Sequence, residues 1–149
     1  MPDLRDTIPV GFSAEAFKLW IGLDGGHLSA TWGKGIVVPG GHDNEVVELD
    51  LSTHANTHYL LKTDDGAHIT VHTEGWRTVR AGDREALEKL FDALAADTVS
   101  LADYRVRLYS TSPRDGGMNG TYKHLNASMW IGGGARLGRW VIDDAYRVL

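Results

Sequence analysis

The sequence predicts an all-β protein: a closed or nearly closed antiparallel β-barrel with one helix inserted between its strands. Apolar residues alternate with other residues over many short stretches, and glycine is frequent, with 18 glycines in 149 residues. Paired glycines separate these stretches, as tight turns between short strands would. Because many short antiparallel strands leave edges that need protection, we expect a barrel that forms a single domain over residues 1–149.

The first third of the chain is predicted to hold short strands separated by glycine turns. Residues 1–15 show little pattern. Apolar residues at alternate positions over 17–23 predict a strand that ends at Gly25-Gly26. Gly40-Gly41 is predicted to form a later turn. Further short strands are predicted at 27–32, 35–39 and 45–51.

A hairpin is predicted at the centre of the chain and a single helix after it. The β-prone segments 54–62 and 67–73 flank Thr63-Asp64-Asp65-Gly66, and Asp-Gly between two such segments is a strong hairpin signal. Leucine and phenylalanine at helical spacing after Asp83 predict a helix over 84–96, which packs over a barrel end as a lid or forms an interface. The remaining predicted elements are strands at 104–110, 123–131 and 140–148 and a polar loop at 111–121.

Composition and charge exclude several classes of function. The chain has no cysteine, which removes disulfides and thiolate chemistry. Its 15 Lys and Arg against 20 Asp and Glu give a formal charge of −5, so nucleic acid is not an expected partner. The charged N-terminal segment and the lack of a long apolar run predict neither a secretory signal nor a membrane span. We therefore expect a cytoplasmic protein.

Several segments occur together in the order and at the spacing of one known family. From about residue 16 to 149 the chain resembles the domain-of-unknown-function 3237 family, also called uncharacterised protein family 0311. The segments that carry the resemblance are Gly25-Gly26, Gly33-Lys34-Gly35, VPGGHD at 38–43, YLLKTDDGAHI at 59–69, SPR at 112–114 and YKHLN at 122–126.

The resemblance implies an antiparallel β-barrel with room for a small molecule inside, and often a homo-oligomer. Some family members look like cofactor-free cyclases of natural-product pathways, in which a phenol or alcohol adds across an activated alkene. This chain departs from the family pattern at several positions. Asn56 and His58 stand where the family has Asp and Arg, His124 replaces a Trp, and the N-terminal strand is predicted to be almost absent.

Polar residues on two predicted strands form the candidate site. Because alternate side chains of a strand share a face, His54, Asn56 and His58 lie together, as do Tyr122, His124 and Asn126. We place both faces in the barrel interior. The alternative is that these polar faces point to solvent and the opposite, apolar faces form the core. With Asp43 added from the glycine turn, the candidate catalytic residues are His58, Asn126, Asn56, Tyr122, His124 and Asp43.

These residues suit acid–base chemistry. His58 and His124 can transfer a proton near neutral pH. Asn56 and Asn126 can donate hydrogen bonds to a substrate oxygen. Asp43 could orient a histidine, act as a base, or bind the backbone of its own turn. The predicted walls of the substrate pocket are Trp20, Trp32 and Trp130.

Two pairs of histidines, at 54/58 and at 68/72, have a spacing that resembles a metal site. On a strand, four residues span ~13 Å, which is too far for both rings to reach one ion. Whether one histidine from each strand can pair across the hairpin depends on the length of the loop. A loop of three residues would put His58 opposite His72, whereas a loop of two or four residues would put His58 opposite a residue such as Val71. We favour the latter register, so no metal site is predicted and His72 points outward.

The sequence therefore predicts a cofactor-independent acid–base enzyme that acts on a hydrophobic, oxygenated small molecule. The most favoured reaction is a cyclisation by oxygen addition to an alkene, or a related isomerase or lyase step. The alternative is a small-molecule-binding barrel without turnover. No metal, nucleotide, nucleic-acid or membrane partner is expected, whereas a homodimer or higher homo-oligomer is.

Overall fold

The computed structural model describes residues 2–12, 16–50, 52–77, 105–115, 121–137 and 140–149. Within these ranges the chain forms eight β-strands and one short 3₁₀ turn, Lys123–Leu125. No helix in this part of the chain is long and apolar enough to span a membrane. The strands are β1 (Pro2–Phe12), β2 (Ala16–Ala30), β3 (Gly33–Glu48), β4 (Thr53–Thr63), β5 (His68–Arg77), β6 (Arg105–Asp115), β7 (Met129–Leu137) and β8 (Trp140–Val148).

The strands form an antiparallel meander in sequence order. Each strand pairs with the next, and β8 returns to β1 through Asp3 and Trp140, so that the sheet closes as a barrel. The predicted all-β antiparallel class is confirmed. The predicted helix over 84–96 lies outside the described residues.

Two of the glycine pairs lie inside long strands rather than between short ones. β2 continues through Gly25-Gly26 and β3 through Gly40-Gly41, with a shift of register at each place. Gly25 and Gly40 have φ angles of 136° and 105°, which disfavour residues with a side chain. These irregularities let one strand bend, as β-bulges do. The separate strands predicted within 17–32 are therefore one strand, and so are those within 35–51.

Other predicted boundaries also differ from the structure. β1 is an 11-residue strand that pairs with β2, although the N-terminal strand was expected to be almost absent. β6 runs through Asp115, into the predicted polar loop at 111–121. The predicted strand over 123–131 instead begins as the 3₁₀ turn, because Leu125 N donates to Tyr122 O at 2.9 Å. The strands β1 and β6 are longer than their local sequence patterns predict because they pair with neighbouring strands of the barrel. In the 3₁₀ turn, local backbone hydrogen bonds replace the predicted strand.

The apolar core lies toward the end of the barrel that holds the 3₁₀ turn. On β4 and β5 the odd-numbered residues face inward, and the even-numbered ones face outward. Leu125 is fully buried and packs against this inner face. The buried residues of the core cluster are Val37, Leu61, Ile69, Val71, Tyr122 and Leu125.

Candidate functional site

The loop of the central hairpin decides which residues face each other across β4 and β5. Thr63 N donates to Ala67 O at 2.9 Å, and Gly66 N donates to Thr63 O, so the loop holds three residues. Gly66 has a φ of 89°, which a three-residue loop of this kind requires at its last position. His58 therefore lies opposite His72, and the register that we favoured is wrong.

The same arrangement places Asn56 and His58 on the outer surface. Tyr59 and Leu61 alternate with them and pack in the core, so the even positions of β4 point to solvent. The predicted interior placement of Asn56 and His58 is wrong, and the solvent-face alternative is what the structure shows. Burying Tyr59 and Leu61 removes far more apolar surface from water than burying an imidazole and an amide would. The proton-transfer role of His58 stays a prediction.

The outer surface carries a stack of four rings across β2 to β5, formed by Trp20, His42, His58 and His72. Their successive ring centroids are 4.2, 5.5 and 4.2 Å apart. Trp20 is 38% exposed and stacks on His42, so its predicted place in the substrate pocket is wrong. His72 Nε2 also donates to Asn56 Oδ1 at 2.9 Å.

Within this stack the pKa of His58 is lowered below its ordinary value. Desolvation contributes most, followed by the charges that His72 and His42 would carry. Below about pH 6.5 the unfolded state therefore binds more protons at this position than the folded state does. Stability contributed through His58 is present above that pH and declines as the pH falls through it.

We expect His58→Gln to lessen the loss of stability in acid. Urea unfolding at pH 7.5 and 5.5 measures this: the wild type should lose more free energy of unfolding between the two pH values than the variant does. His68→Gln, at an exposed histidine on the same hairpin, serves as the control and should behave as the wild type. An unchanged pH dependence in His58→Gln would contradict the effect of the stack.

Two carboxyl groups face the barrel interior from β3. Asp43 and Glu45 are two residues apart and point to the same side, and Glu45 is only 8% exposed. Asp43 Oδ1 accepts a hydrogen bond from the Thr57 hydroxyl at 2.9 Å and another from the Asn56 backbone N–H at 3.1 Å. Asp43 thus belongs to a strand rather than a turn, and its side chain is held by β4 across the sheet.

The environment of Asp43 raises its pKa to about 7. Burial is the largest cause and the charge of Glu45 the next, while the hydrogen bonds from Thr57 and Asn56 act in the opposite direction. A group with this pKa populates both its acid and its base form near neutral pH. Asp43 can therefore donate a proton or accept one under physiological conditions.

Tyr59 supplies a second polar group to the interior. Burial raises the pKa of its phenol far above the ordinary value, and the charge of Asp143 adds to this, against a hydrogen bond with Thr73. The phenol therefore stays protonated and can donate a hydrogen bond to a bound molecule. Thr57 and Tyr59 are inward neighbours on β4, ~7 Å apart along the strand, so Tyr59 lies one layer from Asp43.

A cavity of about 900 Å³ opens at the end of the barrel that holds the 3₁₀ turn. Trp32, Trp130 and His124 line it. The two tryptophans are partly buried, as predicted for pocket walls, whereas His124 is exposed, so its predicted interior position is wrong. The roles of these three residues stay predictions. The other lining residues are Leu28, Ser29, Ala30, Thr31, Tyr59, Leu61, Val71, Asp143, Asp144, Ala145, Tyr146 and Arg147.

Tyr122 and Asn126 do not share a strand face with His124, because this segment is not a strand. Tyr122 is buried, packs edge-on against Trp32 at 5.6 Å between ring centroids, and donates to Asp65 Oδ2 at 2.9 Å. It joins the core at this end of the barrel and holds the hairpin loop. Asn126 is exposed, so its predicted interior position is wrong.

The sequence interpretation missed Glu45, Thr57, Tyr59 and Asp143. A simpler signal would have located the first three. Tyr59 and Leu61 are apolar residues at alternate positions, so they mark the inner face of β4, which also includes Thr57. The β3 residues that pair with this face lie on the inner face as well. No local pattern marks Asp143. Among the described residues no group of three His, Asp or Glu is arranged to hold a metal ion, and the His58 and His72 rings lie face to face. The predicted lack of a cofactor and the predicted oligomer stay predictions.

Comparison with known proteins relates this barrel to several others. A UPF0311 protein of Rhodopseudomonas palustris (strain TIE-1) is 28% identical over 146 residues, which cover 98% of this chain and 90% of the relative. A solved β-barrel-like protein from Acinetobacter baumannii is 28% identical with a TM-score of 0.77, covering 98% of this chain and 88% of the other.

A solved enzyme from Penicillium herquei is 17% identical with a TM-score of 0.67, covering 98% of this chain and 87% of the other. At that identity the likeness shows the fold alone. The profile of the family described as "Protein of unknown function (DUF3237)" matches residues 3–148, so the resemblance extends through β1, beyond the predicted start near residue 16. This chain belongs to the DUF3237 family.

Proposed function

We propose that this protein is an acid–base enzyme that holds a hydrophobic, oxygenated small molecule inside the barrel and transfers a proton through Asp43. The observation that carries the proposal is an interior carboxyl with a pKa of about 7, held by Thr57 and Asn56 one layer from an aromatic-walled cavity. Proton transfer is most efficient when the pKa of the group lies near the working pH. The fold that the chain shares with an enzyme from Penicillium herquei agrees with catalysis in such a barrel.

The reaction that we favour is the addition of a substrate hydroxyl to an alkene of the same molecule. Protonated Asp43 gives its proton to one alkene carbon, and the hydroxyl oxygen bonds to the other carbon. The proton of the hydroxyl then returns to the Asp43 carboxylate. One π bond and one O–H bond break while one C–H and one C–O bond form, so the reaction balances without an oxidant or a reductant. A related isomerase or lyase step would use the same group.

Tyr59 and the aromatic walls would position the substrate for this step. The protonated phenol of Tyr59, which lines the cavity one layer from Asp43, would donate a hydrogen bond to a substrate oxygen. Trp32 and Trp130 supply flat apolar surfaces for the hydrocarbon part. Binding of the hydrocarbon would contribute equally to ground and transition states, whereas the Asp43 proton contributes in the transition state.

The pH dependence of turnover tests this proposal. Phenols that carry an alkenyl side chain are incubated with the protein from pH 5 to 9, and conversion to the cyclic ether is followed by chromatography. We expect kcat/KM to fall as the pH rises through about 7, because the protonated form of Asp43 disappears there.

Thr57 provides the matched variants for this measurement. Thr57→Val removes a hydrogen bond that lowers the pKa of Asp43, so the inflection should move to higher pH, whereas Thr57→Ser keeps the hydroxyl and should leave it in place. A flat profile between pH 6 and 8 would exclude Asp43 as the proton donor. Binding of these phenols without any turnover would establish the alternative, a binding barrel.

A further inference from the structure

We infer that the cavity selects substrates that carry no negative charge, with their hydroxyl- or ammonium-bearing end beside Tyr59 and Asp143 and their apolar body between Trp32 and Trp130. The inference rests on the proposed function, for it specifies the substrate class of the same site. It follows from the order in which apolar, cationic and acidic side chains succeed one another from the rim to the interior.

The pairing of β7 with β8 gives the depth of each group. Arg147 lies opposite Trp130 near the 3₁₀ turn, and Asp143 lies opposite Gly134, four residues further along β8. Four residues of a strand span ~13 Å, so Asp143 is well inside the rim at which Arg147 is exposed. Tyr59 and Asp143 line the same cavity, and the charge of Asp143 adds to the effect of burial in raising the pKa of Tyr59.

The outer part of the cavity is suited to hydrocarbon. Trp32 and Trp130 belong to the shell of partly buried residues around the core, and Leu28 and Leu61 continue the same apolar wall. The indole N–H of Trp130 is engaged by Leu125 O at 3.3 Å, so this ring offers the cavity its apolar surface. A volume of about 900 Å³ is within the range of small-molecule sites.

The deeper groups of the described interior are acidic. Asp143 lines the cavity, and one layer beyond Tyr59 the carboxyl groups of Asp43 and Glu45 face the interior from β3, Glu45 with only 8% of its surface exposed. Burial raises the pKa of Tyr59 and that of Asp43, and the charges of Asp143 and Glu45 add to these shifts, as expected where further negative charge is unfavourable. A carboxylate or phosphate on the substrate would meet the same repulsion, whereas a hydroxyl or an ammonium would donate to the carboxylates. Arg147, a cation among the described lining residues, lies at the rim, where solvent screens its charge.

Three naphthalene ligands that differ in one polar group test this selection. Their dissociation constants are measured by titration calorimetry at pH 8, where Asp43 is ionised: 2-naphthylmethylamine, 2-naphthylmethanol and 2-naphthoate. We expect the amine and the alcohol to bind at least about tenfold more tightly than the carboxylate. Equal or tighter binding of 2-naphthoate would overturn the inference, and so would the absence of binding by all three ligands.

Neutral replacements of the acidic groups identify the cause. Asp143→Asn and Glu45→Gln should each weaken binding of the amine and strengthen binding of the carboxylate, and the dissociation constant of the alcohol should change by less than about threefold. Asp64→Asn, in the exposed hairpin loop, is the matched control and should change none of the three. Unchanged ratios in both interior variants would overturn the inference. These binding constants do not depend on turnover, so their failure would leave the pH profile of the proposed reaction intact, and the reverse also holds.

Discussion

Asp43→Asn is expected to lower kcat by about 10²–10⁴, the usual loss when a general acid or base is removed. The amide keeps an oxygen that can accept from the Thr57 hydroxyl and the Asn56 N–H, and it has nearly the same volume. What is lost is the ability to give a proton, to take it back and to ionise. The dissociation constant of a product-like ligand should therefore change much less than kcat, which single-turnover and binding measurements on the same preparation would show.

The free energy of unfolding of Asp43→Asn is a second measurement, and it should rise although kcat falls. Because the pKa of Asp43 is raised to about 7 in the folded protein, its ionisation above that pH costs stability, and this cost is relieved as the pH falls below 7. Asparagine does not ionise. At pH 8 the variant should therefore gain free energy of unfolding relative to the wild type, by up to about 4 kcal/mol at 1.36 kcal/mol per pKa unit.

Two further substitutions make the activity result decisive. Asp64→Asn repeats the same chemical change in the exposed hairpin loop and should retain wild-type turnover. His58→Ala tests the proton-transfer role that the sequence predicts for His58, whose imidazole lies on the outer surface of the barrel. If His58→Ala lost two or more orders of magnitude while Asp43→Asn kept full turnover, the assignment of proton transfer to Asp43 would be wrong.

Gly35→Ala is expected to reduce the free energy of unfolding by about 3 kcal/mol or more. A Cβ atom at this position would lie 2.1 Å from Lys62 O and 2.8 Å from Thr63 Cα. Both are backbone atoms of β4, and Gly35 pairs directly with Thr63 on that strand. The clash can therefore be relieved only if β3 and β4 move apart. The measurement is urea unfolding, with an expected fall of roughly 10 °C in Tm as a second readout.

Gly133→Ala is the matched control for this prediction. Gly133 lies in β7, and a Cβ atom there would have no atom within 4 Å. The substitution should change the free energy of unfolding by less than about 1 kcal/mol, because it adds a methyl group to open space. Equal losses for Gly35→Ala and Gly133→Ala would show that β3 and β4 do not approach each other this closely.

The sequence by itself determined the features that depend on local chemistry. Alternating apolar residues and frequent glycine predicted the antiparallel all-β class, and Asp65-Gly66 located the central hairpin. Trp32 and Trp130, which the sequence names as pocket walls, line the cavity. Asp43 was also named from the sequence, as a residue of a glycine turn that could orient a histidine, act as a base or bind the backbone of its own turn.

Only the tertiary structure decided which face of each strand lies inside. One residue of loop length at Gly66 sets the pairing of His58 with His72, and the burial of Tyr59 and Leu61 sends His58 to the surface. Gly25 and Gly40 bend long strands instead of ending short ones, because the residues on both sides of each glycine stay paired with a neighbouring strand.

The chemistry of the site likewise arises from contacts between strands that are distant in the chain. Asp43 accepts a hydrogen bond from the Thr57 hydroxyl on β4, and Tyr59 on β4 lines the same cavity as Asp143 on β8. An aspartate with an ordinary pKa becomes a group that titrates near 7 because the closed sheet removes water from it and holds Glu45 beside it. Desolvation and charge proximity are properties of the folded arrangement, so no sequence pattern contains them.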